Sequence, residues 1–364
     1  MRTTSYQVFR FACIYMLSVP IAFLIAPLIS SSGYQGWIAI LAGGAFNMIL
    51  IACTVHLGKM APKQAWLEFG ERIVGKWLHR CILIVIAFWC VYYIALDLEQ
   101  FTLFYGSVYM RETPPWFLHV LVGLVIIITC HRGLSTVVYL ADGFFIISIL
   151  AIVFFLSVFS ADADFHMFPA LITHHKLGLA LKDSFSTVSW IGEWFIFLFI
   201  VPELKFEKKI LSNLLLGNLL VTVSILFTWL ICLLNFGPHF GAQIKYPVLE
   251  LIRGTSYTGL LGNSDPLLIG LWSTSMFIHD SFLLYVGSVC LAKVTRFSNQ
   301  KVIITLLGSS AIVTAYQFAR DVAQFQKDLN ALSLGMFWVL VDSLPIYYVL
   351  IAWVRNHFGK KSIP

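Results

Sequence analysis

Phe185-Ser186-Thr187-Val188-Ser189-Trp190-Ile191-Gly192-Glu193-Trp194-Phe195-Ile196-Phe197-Leu198-Phe199-Ile200 decides how this chain is read. It has the length and apolarity of a membrane span, with a glycine and a carboxylate in its middle. A carboxylate at the bilayer centre costs about 2.5 kcal/mol or more unless it is paired, protonated or turned toward water. Gly192 weakens a helix at that point and lets backbone or ligand approach. Ser186, Thr187 and Ser189 can satisfy the backbone groups that a break would free. On these residues alone two readings stay open. In one, the helix is broken and its exposed backbone and Glu193 line a buried small-molecule site. In the other, Gly192 is a packing residue and Glu193 bonds to a neighbouring span.

The rest of the chain is equally apolar. Of 364 residues, 59% are hydrophobic and 12% charged, against about 25% charged in a soluble domain. This predicts an integral membrane protein. No cleavable signal peptide is apparent, because the first apolar run is too long for a signal core. Ten apolar runs are expected to span, at approximately 7–30, 35–57, 80–108, 115–131, 137–160, 184–202, 210–236, 266–292, 301–318 and 333–354. No polar linker separates them, so residues 1–364 read as one transmembrane domain. The loops at 58–79, 161–183, 237–265 and 319–332 have room for short interfacial helices.

The net charge of +6 lies in short loops and does not imply nucleic acid. With the N-terminus inside, 17 of the 24 lysines and arginines fall on the cytoplasmic side, which predicts both termini cytoplasmic. The seven cysteines sit in or beside apolar runs without a Cys-x-x-Cys pair, so they read as packing residues. His166, His174 and His175 share a loop but lack further ligands; no metal and no cofactor is expected. There is no phosphate loop, nucleophile elbow or zinc-protease motif, and nothing calls for an enzyme.

Other spans carry polar interruptions. Ser18, Val19 and Pro20 mark a break or an ordinary proline kink in the first. The third carries Tyr93, Asp97 and Glu99. Residues 97 and 99 lie about 200° apart around a helix, so one is expected inside and the other at the outer interface. His279 and Asp280 in the eighth span read as a proton relay, a polar cavity wall or a single interhelical contact. Their side chains point about 100° apart, so one of them is expected to face a cavity. Asp342-Ser343-Leu344-Pro345 interrupts the tenth.

The ten runs divide five and five, over about 7–160 and 184–354, with break candidates in the first span of each half. Paired interruptions point to a transporter-type central site, and the pattern resembles the inverted-repeat fold of the amino acid–polyamine–organocation superfamily. Within it the chain resembles the spore germination permease family, the B subunits of nutrient germinant receptors. Arg111-Glu112-Thr113-Pro114-Pro115-Trp116 resembles that family's turn after the third span. Ile191-Gly192-Glu193, followed by Val201-Pro202-Glu203-Leu204-Lys205, resembles its sixth span and exit. Phe236-Gly237-Pro238 and Lys245-Tyr246-Pro247-Val248-Leu249-Glu250-Leu251 resemble its outer loop, and Trp272, Phe277 and Ser281 its eighth span. Two departures stand out: Val19-Pro20 replaces small residues at the first break, and His279 stands where relatives often carry lysine.

The resemblance implies an all-α membrane protein with spans 1 and 6 broken, in the inner membrane of the bacterial spore. It implies a small germinant, an amino acid above all, bound at mid-membrane between spans 1, 3, 6 and 8, and A-type and C-type receptor subunits as partners. Candidate lining residues are Ser18, Val19, Pro20, Tyr93, Asp97, Ser189, Trp190, Gly192, Glu193, Ser275, His279 and Asp280. The competing expectations are a proton-coupled amino acid transporter and a scaffold subunit with a vestigial cavity.

Overall fold

The computed structural model describes residues 4–173, 177–200, 209–254 and 265–358. His174, His175, the exit motif at 201–205 and the two extreme ends lie outside them. No strand occurs among the described residues.

The first apolar run becomes three helices: α1 (Ser5–Leu17), α2 (Pro20–Phe23) and α3 (Ile25–Ser32). Thr4 starts α1 with a capping box to Gln7, which satisfies two orphan donors. Pro20 has no N–H to continue the ladder, so α1 stops before it, although Ser18 and Val19 keep right-handed helical angles. The interruption is a turn within a continuing path.

Then come α4 (Gly36–Met60), α5 (Trp66–Val74), α6 (Lys76–Val108), α7 (Pro115–His131), α8 (Leu134–Phe159), α9 (Phe168–Thr173) and α10 (Leu177–Ile191). A 3-10 turn covers Trp194–Ile200. The second half continues with α11 (Ile210–Gly241), α12 (Pro247–Gly254), α13 (Asp265–Thr295), α14 (Gln300–Ala319), α15 (Val322–Leu329), α16 (Leu332–Asp342) and α17 (Leu344–Phe358). The four long loops do hold short helices: α5, α9, α12 and α15.

Among the described residues, seven helical stretches are long and apolar enough to cross a membrane, or eight if α16 and α17, bent by 46°, form one span. The expected ten is not reached on that measure. The fourth run, α7, has only 17 residues. The sixth is divided between α10 and the 3-10 turn, because the α-helical ladder ends at Ile191.

Packing brings α1, α6, α13 and the end of α10 together at the centre, with α4 along α10 and α11. Small residues permit the closest approach. A side-chain carbon on Gly43 would lie 2.7 Å from Thr187, and one on Gly44 would lie 2.6 Å from Thr222. In contrast, only 11% of the apolar window of α8 is buried, as expected of a helix facing lipid or a partner.

Candidate functional site

The end of α10 sets the geometry. The Ile191 carbonyl has lost its helical partner and accepts a hydrogen bond from Asn47 Nδ2 of α4 at 2.8 Å. The chain turns tightly, with the Trp194 amide donating to the Gly192 carbonyl at 2.6 Å. This presents Glu193 to the centre of the bundle, 1% exposed. Tyr15 of α1 donates its hydroxyl to Glu193 Oε2. His279 Nε2 of α13 stands 3.2 Å from the same oxygen.

His279 therefore holds two groups apart. Its other nitrogen, Nδ1, lies 3.2 Å from Asp280 Oδ1 and 3.4 Å from Asp97 Oδ2. Tyr15 and Tyr93 pack against the imidazole, with ring centroids at 4.3 and 5.3 Å. Asp97, His279 and Asp280 are all buried, and each offers a ligand atom within 4.8 Å of the others. Both Asp97 oxygens, Asp280 Oδ2 and the Tyr93 hydroxyl lack a hydrogen bond among the described residues. Asp342, at the end of α16, presses on the break itself: a side-chain carbon on Gly192 would lie 2.8 Å from its Oδ2. Three buried carboxyl groups thus surround one imidazole, and a fourth, Asp342, lies against the break beside them. In hydrocarbon such a set is costly unless protons or a cation balance it.

Beside the cluster lies a vestibule of about 580 Å³ with mixed polar and apolar walls. Ser189, Trp190, Trp338, Gln100, Asp183 and Lys245 are among its walls. Asp183 accepts hydrogen bonds from the hydroxyls of Ser31 and Ser32. Burial lowers the Lys245 pKa below the usual lysine value, a shift that Glu99 opposes. Trp338 stacks on Tyr93 at 5.0 Å and meets Trp190 edge-on at 5.7 Å. These rings separate the vestibule from His279.

Six of the twelve candidate residues converge on the cluster: Tyr93, Asp97, Gly192, Glu193, His279 and Asp280. His279 and Asp280 both take part, because the ring of one turns back onto the carboxylate of the other. Ser189 and Trp190 line the vestibule instead. Ser275 faces a separate apolar cavity of about 130 Å³ beside Leu17, Ile21 and Trp272. Ser18 bonds to the Tyr15 carbonyl at 2.8 Å, and Val19 and Pro20 are buried behind it. The expectation that Asp97 or Glu99 reaches the outer interface is wrong. Both are buried, and Glu99 pairs with His119 Nε2 of α7 at 2.8 Å on the other side of α6. Sequence reasoning missed Tyr15, Asn47, Asp183 and Trp338 altogether, and marked Asp342 only as a helix interruption.

A family model described as spore germination protein, the spore permease family, matches residues 2–323. The chain belongs to that family. Spore germination protein XB of Bacillus anthracis is 24% identical over 78% of this chain and 79% of its own length. Spore germination protein YndE of Bacillus subtilis is 22% identical over 72% of each. Two solved structures show the same fold at low identity. Mhp1, a nucleobase-cation-symport-1 family transporter in a closed conformation with bromovinylhydantoin bound, aligns with a TM-score of 0.71. It covers 97% of this chain and 78% of its own at 14% identity. A Na+-coupled sialic acid symporter in a substrate-bound outward-open state aligns at 0.68, with 13% identity and coverage of 98% and 85%. This chain is a membrane permease of the spore germination type, with a transporter-like helical fold.

Proposed function

We propose that the chain is the nutrient-sensing membrane subunit of a spore germinant receptor and binds a small germinant, in our reading an amino acid, at mid-membrane. One observation carries this: the buried cluster of Glu193, His279, Asp97 and Asp280 lies beside a vestibule with polar and apolar walls, large enough for such a ligand, with an aromatic partition between them. An ammonium group reaching Glu193 would replace part of its contact with His279. Displacement of Trp338 from Tyr93 would open the way. Binding shifts the protein between two conformations only as far as it prefers one of them, and A-type and C-type subunits would read that shift.

In this reading residues 1–364 form one domain of ten spans, as two inverted repeats over about 7–160 and 184–354. Spans 1 and 6 are interrupted at Ser18–Pro20 and Gly192–Glu193. The membrane is the spore's inner membrane with both termini on the cytoplasmic side, supported by the lysine and arginine asymmetry.

A second reading is a proton-coupled amino acid transporter. The fold shared with a ligand-bound transporter and a substrate-bound symporter favours it, and fold alone does not separate sensing from transport. Two assays run side by side do: nutrient-induced germination of spores lacking this gene, and uptake by the purified protein in liposomes. Loss of one nutrient response without uptake supports the receptor. Uptake with unaltered germination supports the transporter and refutes the receptor reading.

A further inference from the structure

We propose that Asp97, His279 and Asp280 form a binding site for a divalent transition-metal cation of the zinc type, in the interior of the bundle between α6 and α13. This goes beyond the nutrient-sensing reading and does not depend on it.

The donor set suits such an ion. His279 Nδ1 faces Asp280 Oδ1 at 3.2 Å and Asp97 Oδ2 at 3.4 Å. Zinc binds imidazole nitrogen and carboxylate oxygen at about 2.0–2.2 Å, which puts neighbouring ligand atoms roughly 3.3 Å apart in a tetrahedron. The two measured edges have that length. All three candidate ligand atoms lie within 4.8 Å of one another, so small side-chain movements would complete the set and leave a fourth position open. An imidazole ligand selects the transition metals over sodium and magnesium, which prefer oxygen.

Hydrogen bonding leaves the carboxylates of the set incompletely satisfied. A single N–H at Nδ1 serves one acceptor well, and the geometry gives it to Asp280. Asp97 is 1% exposed, and beyond its 3.4 Å ion-pair contact with His279 both its oxygens lack a hydrogen bond among the described residues, as does Asp280 Oδ2. Two buried carboxylates sharing one imidazole nitrogen are incompletely paired, which is expensive. A dication would engage both carboxylates and offset their charge.

The surroundings fit as well. A metal-bound histidine usually donates its other ring N–H to a carboxylate, which fixes its tautomer and orientation. Here Nε2 stands 3.2 Å from Glu193 Oε2, and Tyr15 holds Glu193. The tyrosine rings on the imidazole keep the site dry.

The test uses the full-length chain, purified without a histidine tag in detergent and stripped with chelator. Zinc is titrated calorimetrically, and X-ray absorption at the zinc edge reads the ligands. We expect one zinc per chain, with one imidazole and the remaining ligands oxygen. Asp97→Asn and Asp280→Asn should weaken binding at least tenfold, and Glu193→Gln by about 10–100-fold, the usual effect of losing an outer-shell partner. His166→Ala, in the exposed loop, should leave it unchanged. Absence of stoichiometric zinc binding by the wild type overturns the proposal. So does a ligand shell with two or more imidazoles, or wild-type affinity in both aspartate variants. The wild-type spectrum alone counts the imidazoles, whether or not a variant folds.

Discussion

Gly192→Ala tests the packing that holds the site open. The added methyl would lie 2.5 Å from the Val188 carbonyl oxygen and 2.8 Å from Asp342 Oδ2. The first distance is about 0.9 Å inside the shortest ordinary contact of 3.4 Å. Asp342 is a short side chain, but Val188 O is backbone and yields only if the last turn of α10 shifts. Overpacking of this kind costs about 1–3 kcal/mol. Gly143→Ala in α8 is the control, since nothing lies within 4 Å of its added carbon. Relief of glycine's helical penalty there is worth about 0.5–1 kcal/mol in the opposite direction. Thermal denaturation of the purified protein in detergent should show Gly192→Ala melting lower than wild type and Gly143→Ala no lower. In an Asp342→Ser background the cost of Gly192→Ala should shrink without vanishing, because the Val188 contact remains. Equal stability of the two alanine variants would refute the close approach of Gly192 to Val188 and Asp342.

Two further predictions concern buried pairs. His119→Ala removes one partner of the Glu99–His119 contact, both members of which are buried, and should destabilise by about 3–5 kcal/mol. Replacing both by leucine should recover much of that loss, and chemical denaturation of the single and double variants would measure it. Tyr15→Phe deletes the hydroxyl that donates to Glu193, and hydrogen bonds to carboxylates are worth about 1.5–3 kcal/mol. The same denaturation should register that loss, and an unchanged midpoint would show that Tyr15 does not hold Glu193.

Charge in the wrong solvent was the legible part of this chain. Asp97, Glu193, His279 and Asp280 stand out because ionisable groups in apolar runs are costly, and the structure gathers the three carboxylates around the His279 imidazole. Gly192 was legible because it sits beside one of them. Tyr15 carried no signal, since a tyrosine in an apolar run is ordinary until a partner 178 residues away is known. Asn47 is similar: its role depends on where α10 ends, 144 residues later. Asp183 falls in the loop expected at 161–183, whereas α10 begins before it and turns its carboxylate onto Ser31 and Ser32. Helical phase placed Asp97 and Glu99 on different faces, but phase does not say what covers each face. His119 of α7 covers the second. The run of ten spans came from apolar length alone, and length fails where a helix is as short as α7 or gives way to a tighter turn as α10 does.

The measurement that bears most directly on the central claim is the nutrient dose response of spores carrying Glu193→Gln, with the membrane level of the protein measured in the same spores. The substitution keeps the size and most hydrogen bonds of the side chain and removes its capacity for charge. A functional carboxylate predicts a response abolished or shifted to much higher nutrient concentration at near-normal protein level. A wild-type dose response at normal protein level would contradict it and put the site elsewhere.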